Sequence, residues 1–158
     1  MRRAGLVALL LALVLVPCAA SASASTPSLT GRWRLDVARS DFGSGSRPRA
    51  RLDELDLRGT QLLVRSLTVR DGGDTLRLEY RYRTDGDAVN TVMGQSVRTR
   101  GTWRGGALEL ESHMKLLLLE VAVRERWALS RDGATLLEER VSDMPTGAVK
   151  QRLVFVRQ

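Results

Sequence analysis

The sequence predicts an all-β protein, an antiparallel up-and-down meander of eight to ten strands that closes, or nearly closes, into a barrel. Three observations support this fold. Apolar and charged residues alternate with a period of two over most of the chain after residue 30. Turn signals rich in glycine recur between these segments. No segment beyond the amino terminus shows helical spacing over about eleven residues or more. Closure is favoured because it leaves a meander without exposed edges.

The first 24 residues follow the order of a secretory signal peptide. Arg2 and Arg3 precede the apolar run 6–16, and small residues follow up to position 24. The run is too short for a membrane span, which needs roughly 20 residues. We therefore expect residues 1–24 to be removed and the protein to be exported to the periplasm or the extracellular space. In the alternative, Cys18 carries a lipid and anchors the chain to a membrane, although Pro17 suits a lipidation signal poorly.

Length and composition indicate one domain with a mixed-charge surface. Residues 25–30 are predicted to form a short polar tether and residues 31–158 a single domain of ordinary size. Cys18 is the one cysteine, so the predicted domain has no disulfide and no thiol nucleophile. The formal net charge is +7, but most arginines alternate with acidic residues along the strands. We therefore predict no nucleic-acid partner, no cofactor and no metal site, and the oligomeric state is left open.

The elements follow one another in a regular succession. The predicted strands are, in order, 31–37, 52–57, 62–70, 76–83, 97–104, 108–116, 121–129, 135–141 and 149–157. Loops are expected at Ser40–Pro48 and at about Asp85–Gln95, where glycine, serine or proline interrupts the alternation. In the segment 52–57 the leucines do not alternate cleanly, which predicts a bulge.

The two ends of the predicted domain carry a family resemblance. Gly31-x-Trp33 opens the first predicted strand, and Arg152 lies on the last. These features resemble the lipocalin and fatty-acid-binding barrels, the calycins, in which Gly-x-Trp begins the first strand. The resemblance implies a calycin-like barrel in which Arg152 closes over Trp33 or, as in the fatty-acid binders, takes a ligand carboxylate. The segments 31–43, 125–130 and 153–155 also resemble a group of uncharacterised secreted bacterial proteins.

The candidate ligand-binding residues share the inward face of their strands. They are Trp33, Tyr80, Tyr82, Trp103, Met114, Glu125, Trp127 and Arg152. The aromatic members either line a cavity for one small molecule or fill a solid core. Glu125 shares a face with Val123 and Trp127, so it should point inward and need a partner, for which Arg152 is the candidate. Glu125 is then either a polar anchor for a ligand or half of a structural ion pair.

The sequence assigns no catalytic residues. The one histidine, His113, alternates with Glu111 and Lys115 and should face solvent. Our first hypothesis is a secreted, non-enzymatic barrel that binds a small apolar or amphipathic molecule. The second is an envelope interaction module with a solid core, which acts through the 85–95 loop or the Leu116–Leu119 tip. This tip is either exposed, as at a partner or membrane contact, or the buried end of two strands that run on.

Overall fold

The computed structural model describes residues 28–116 and 119–158. Within these ranges the chain forms ten antiparallel strands and no helix, which confirms the predicted all-β fold. The strands are β1 (Gly31–Leu35), β2 (Ala50–Arg58), β3 (Gln61–Val69), β4 (Thr75–Arg83), β5 (Asp87–Val92), β6 (Gln95–Arg104), β7 (Ala107–Leu116), β8 (Leu119–Leu129), β9 (Thr135–Met144) and β10 (Gly147–Arg157).

All ten strands belong to one sheet, in the order β4-β3-β2-β1-β10-β9-β8-β7-β6-β5. Neighbours in the sheet are neighbours in the chain, except that β1 pairs with β10, where Trp33 lies opposite Arg157. The first and last strands are therefore joined side by side. The sheet curls until its two outer strands, β4 and β5, approach each other.

The seam between β4 and β5 has no backbone ladder in the part of the chain that the structure describes, so the barrel is nearly closed. The Asn90 side chain spans this seam. Its Oδ1 accepts a hydrogen bond from the Arg81 backbone N–H at 2.7 Å, and its Nδ2 donates to the Arg81 carbonyl at 3.0 Å. At one end of the seam Gly101 allows the Arg83 carbonyl to come close, since a side chain at position 101 would collide with that oxygen. One side-chain amide thus replaces part of the missing ladder.

Glycine explains one of the two-residue hairpins. Gly105 and Gly106 form the two-residue connection between β6 and β7, and both have positive φ, 54° and 77°. A turn of this kind matches the right-handed twist of the strands but strains residues with a side chain. The glycine pair therefore fixes the register in which Trp103 lies opposite Leu108.

Two sequence predictions are wrong in detail. The expected loop at Asp85–Gln95 contains β5, in which Ala88, Asn90 and Val92 alternate with exposed residues. Because these inward residues are small or polar, the sequence does not show the alternation of large apolar residues that predicts a strand. The expected bulge at 52–57 does not occur, because β2 pairs with β3 residue for residue and Asp53 takes an inward position. The charged Asp53 occupies an inward position where the alternation predicts an apolar residue, and this made the pattern of β2 look interrupted.

The ends of two predicted segments also differ from expectation. Leu29, expected in the polar tether, is fully buried in the core, so the folded domain includes it. The rest of the predicted tether up to residue 27, and the predicted signal peptide with Cys18, lie outside the described residues. Leu116 and Leu119 pair at the ends of β7 and β8, so these two strands do run on. Leu119 is nevertheless 48% exposed, and residues 117–118 of the expected tip lie outside the described ranges.

Candidate ligand-binding site

The barrel interior has two different halves. In the half that contains the amino end of β1, large apolar side chains are buried and in contact, so the interior is solid. This packed half includes Trp33, Leu62, Leu108 and Phe155, each no more than 1% exposed. The other half, towards the turns that join β3 to β4, β5 to β6 and β7 to β8, encloses a cavity of about 230 Å³. The two alternatives for the interior, a cavity and a solid core, thus both occur, at opposite ends of one barrel.

Residues from eight strands, β2 to β9, line this cavity. They are Arg51, Val64, Ser66, Thr68, Leu78, Tyr80, Tyr82, Asn90, Val92, Val97, Thr99, Ser112, Met114, Val123, Glu125, Trp127 and Arg140. Nine of these seventeen side chains are apolar or aromatic and eight are polar or charged. Small-molecule sites combine an apolar wall with placed polar groups, and this wall is more polar than usual, with a volume below the usual range of roughly 300–1,000 Å³.

The polar side of the cavity centres on Arg140 of β9. Its Nη2 lies 2.5 Å from Glu125 Oε1 and 2.7 Å from Glu138 Oε1. Both carboxylates are buried, and the Arg140 side chain is about a quarter exposed. The pairing follows from the register, since Glu125 lies opposite Arg140 across β8 and β9. Glu138 Oε1 has no hydrogen-bond partner of suitable geometry among the described residues.

A second buried ion pair lies beside the first. Arg51 donates to Asp53 through Nε at 3.0 Å and through Nη2 at 2.8 Å, which is a bidentate pair. Its Nε also lies 3.2 Å from Ser66 Oγ. Both side chains are mostly buried, at 14% and 4% exposure. Arg51 is therefore held in one orientation at the edge of the cavity.

Burial and the charges of this cluster shift the pKa values of Glu138, Arg140 and Arg51. Burial raises the pKa of Glu138, and the nearby Glu125 adds to this, against the opposing effects of Arg140 and Arg51. Burial opposes the charge on Arg140, but Glu125 and Glu138 outweigh it and raise the Arg140 pKa, so this guanidinium stays charged. Asp53 and Glu138 act on Arg51 in the same way and raise its pKa. Two fixed cations thus stand beside Glu138, whose raised pKa means that it holds its proton more readily than a free glutamate.

An aromatic row faces the charged cluster. Tyr80 and Tyr82 stack with ring centroids 5.8 Å apart, and Trp127 meets Tyr82 edge-on at 6.2 Å. Burial is the main cause that raises the pKa of Tyr82, so its hydroxyl remains protonated at neutral pH. Trp127 is 3% exposed, and its indole Nε1 has no hydrogen-bond partner among the described residues. A buried indole N–H usually finds an acceptor, so this donor is available to a ligand.

A neighbouring cavity of about 610 Å³ lies between the 42–48 loop and the turn that joins β3 to β4. Arg51 and Arg140 line this cavity as well as the interior one. Both guanidinium groups therefore stand between the interior of the barrel and this end of the molecule.

Five of the eight predicted site residues line the interior cavity: Tyr80, Tyr82, Met114, Glu125 and Trp127. Trp33 points inward as expected but belongs to the packed half, where its Nε1 donates to the Leu29 carbonyl at 2.9 Å. Trp103 also points inward and packs against the same core. The interior thus uses these two tryptophans for packing.

The inward position expected for Arg152 is wrong. Its side chain is exposed on the outer face of β10, where it lines a groove of about 680 Å³ with other charged residues. The residue over Trp33 is Arg157, whose guanidinium carbon lies 4.2 Å from the ring centroid. Arg157 shares the inward parity of Leu153 and Phe155, whereas Arg152 has the opposite parity. The partner of Glu125 is likewise Arg140 rather than Arg152.

Sequence reasoning missed Arg51, Asp53, Glu138 and Arg140. Charged residues in a strand usually face solvent, so the alternation by itself gives no reason to place these four side chains inside the barrel. A signal did exist: Leu136, Glu138 and Arg140 fall on one face by parity, with a buried leucine at one end.

Other chemistry has less support in this structure. Within 28–116 and 119–158, no group of three or more His, Cys, Asp or Glu side chains is placed to hold a metal ion. His113 lies on the outer face as expected, with Nε2 3.4 Å from Glu111 Oε1. Over the same ranges, no helix has the length and apolarity to cross a membrane.

Comparison with known proteins identifies the fold. No protein-family model matches the chain, and no curated protein matches its sequence. Among solved structures, a secretory abundant heat soluble protein from Ramazzottius varieornatus is similar, with a TM-score of 0.61 and 11% identity over 85% of this chain and 100% of that one. Echinococcus granulosus fatty-acid-binding protein 1 has a TM-score of 0.57 and 13% identity, over 82% and 96%. A zebrafish ileal bile-acid-binding protein, complexed with cholic acid, has a TM-score of 0.54 and 10% identity, over 82% and 98%. At these identities the likeness shows the fold alone, and that fold is the calycin barrel.

Proposed function

We propose that the protein binds one small apolar or amphipathic molecule inside the barrel, without catalysis, after export from the cytoplasm. The observation that carries this proposal is the cavity itself, which is bounded by apolar and aromatic side chains and by a fixed charged cluster. The unpartnered Trp127 Nε1 supports it further, because a buried donor without an acceptor suits a ligand oxygen.

The structural neighbours support binding as the function class. One is named for fatty acids and another for bile acids, and the latter holds cholic acid. The same fold thus occurs in proteins that are named for binding small molecules and are only 10% and 13% identical to this chain. Export rests on residues 1–24, whose charged, apolar and small-residue order is that of a signal peptide.

The test is an NMR titration of the purified ¹⁵N-labelled protein with 1-hexanol, a small amphipathic probe. We expect a saturable shift of the Trp127 indole N–H signal and none at Trp33, because only Trp127 lines the cavity. Ser112→Leu fills the cavity and should abolish the shift. Thr102→Leu, on the exposed face of β6, is the matched control and should bind as the wild type does. Absence of a saturable shift, or binding that survives Ser112→Leu, would contradict the proposal.

A second candidate function is an envelope interaction module. It is favoured by three exposed apolar side chains, Met93, Leu119 and Met144, which lie at or beside the turns of three successive hairpins at one end of the barrel. The test is cosedimentation with vesicles of anionic phospholipid. Binding that is lost in Met93→Ser/Leu119→Ser would support this candidate, and no binding by the wild type would contradict a membrane role.

A further inference from the structure

The guanidinium nitrogens that a bidentate pair would need are engaged. Arg140 serves Glu125 and Glu138 with Nη2, while its Nε has no partner among the described residues, and Arg51 holds Asp53 through Nε and Nη2. An arginine normally receives a ligand carboxylate through a bidentate pair, which uses Nη2 together with Nε or Nη1. Here the ligand would have to displace a carboxylate of the protein from Nη2, and in Arg140 this includes Glu125, which the strand register places opposite.

The charge balance of the cluster also disfavours an anion. Three carboxyls, Asp53, Glu125 and Glu138, face two guanidiniums, and the remaining titratable groups in contact are the neutral Tyr80 and Tyr82. The net charge is therefore −1 when every carboxyl is ionised and zero when one holds a proton. A fourth carboxylate would leave uncompensated negative charge in a site removed from water, which is costly.

The groups left open suit a different ligand head. Trp127 Nε1 is an unpartnered donor, and Glu125 lines the cavity two residues before it on the same face of β8. Residues two apart on a strand lie about 7 Å from each other on one face, so one hydroxyl group can accept from the indole and donate to the carboxylate, and an amino group can donate to the carboxylate. The volume of about 230 Å³ also favours a smaller molecule than a drug-sized ligand.

We infer that the site selects a small ligand with a hydroxyl or amino head, neutral or cationic, and discriminates against carboxylates. This inference rests on the proposed function and specifies its ligand class. It separates the chain from those fold neighbours whose names refer to acids. A shared barrel fold does not give this chain the ligand class of those neighbours, because the charges inside each barrel determine which ligands it binds.

The test compares three probes that share a chain length: 1-hexanol, hexylamine and hexanoate, at pH 7, followed on the Trp127 indole signal. We expect hexanol and hexylamine to bind at least about tenfold more tightly than hexanoate. Hexanoate affinity equal to or above that of hexanol would overturn the inference while leaving the proposed function in place. No binding by any of the three would overturn the proposed function and this inference together.

A charge variant sharpens the test. Glu125→Gln removes one negative charge from the cluster, so the affinity of hexanoate relative to hexanol should rise by about tenfold. Asp53→Asn, which removes the carboxylate paired with Arg51, carries the same expectation and serves if the first variant does not fold. Glu139→Gln, on the outer face of the same strand as Glu138, is the matched control and should leave the ratio unchanged. An unchanged ratio in both cavity variants would contradict the charge argument.

Discussion

The packed half and the cavity half of the barrel are built on the same strands but solve different problems. On β2, the inward face passes from Leu55 to Asp53 and Arg51 as it approaches the cavity. On β9, it passes from Leu136 to Glu138 and Arg140. The packed half gains stability from burying large apolar side chains. The cavity half holds charges in a fixed arrangement, which contributes less to stability and provides groups that can recognise a ligand.

Removing a large side chain from the packed half should have the largest effect. Trp33→Ala is expected to lower the free energy of unfolding by roughly 3–5 kcal/mol, because the neighbours of a fully buried tryptophan cannot fill its space. Denaturant unfolding measures the change. Trp33→Phe, which keeps an aromatic ring, should cost less, and a change below about 1 kcal/mol for Trp33→Ala would contradict a solid packed half.

Breaking the charged cluster should cost somewhat less and should be reversible by a second change. Arg140→Met leaves Glu125 and Glu138 without their counter-charge, so we expect a loss of roughly 2–4 kcal/mol, below that of a fully buried pair. The same substitution in a Glu125→Gln/Glu138→Gln background should cost much less by the same unfolding measurement. An equal loss in both backgrounds would mean that Arg140 acts through packing instead of charge.

Arg157 and Arg152 provide a comparison of two arginines on one strand. Arg157 covers Trp33 and donates to the carbonyls of Gly133 and Thr30 at 2.8 and 2.7 Å. Arg157→Gln should therefore lower the free energy of unfolding by about 1–2 kcal/mol. Arg152→Gln, on the exposed outer face, should change it by less than about 0.5 kcal/mol. The reverse ranking in thermal or denaturant unfolding would argue that Arg152 covers Trp33.

The most gradual effect is expected in the pH dependence of stability. Burial raises the pKa of Glu138 above its unfolded value of about 4.5. Its contribution to stability is then fully present below about pH 4.5 and is lost as the pH rises through the raised pKa. Glu138→Gln removes this titration, so its stability relative to the wild type should increase with pH, by at most about 1.4 kcal/mol per pH unit.

Urea unfolding of both proteins between pH 4.5 and 8 measures this difference, with Glu139→Gln as the outer-face control. A difference between wild type and Glu138→Gln that does not vary with pH would contradict a raised pKa.

The sequence was sufficient for the fold and for the apolar part of the site. Period-two alternation placed Trp33, Tyr80 and Trp127 on inward faces, and the structure has them there. It could not reveal Asp53, whose partner Arg51 lies on the same strand and looks like another outward charge, or Arg140, whose partner Glu125 lies on a neighbouring strand. Which residues of two strands meet depends on their register, which is a property of the whole barrel.

The predicted inward position of Arg152 was wrong for a related reason. Leu153, Val154 and Phe155 are all buried, so the alternation near the end of β10 does not show which arginine faces inward. Val154 is buried from outside by the segment after β1, where Ser40 Oγ accepts a hydrogen bond from the Val154 N–H. A loop that covers the outer face cannot be deduced from the strand alone.

The most direct test of the divided interior is hydrogen–deuterium exchange of the tryptophan indole protons, followed by NMR on the ligand-free protein. The Trp33 proton is hydrogen-bonded within the packed half, whereas the Trp127 proton has no acceptor among the described residues and lies at the cavity. We predict that Trp127 exchanges at least about tenfold faster than Trp33. Equal protection of the two protons would contradict an interior with one solid and one accessible half.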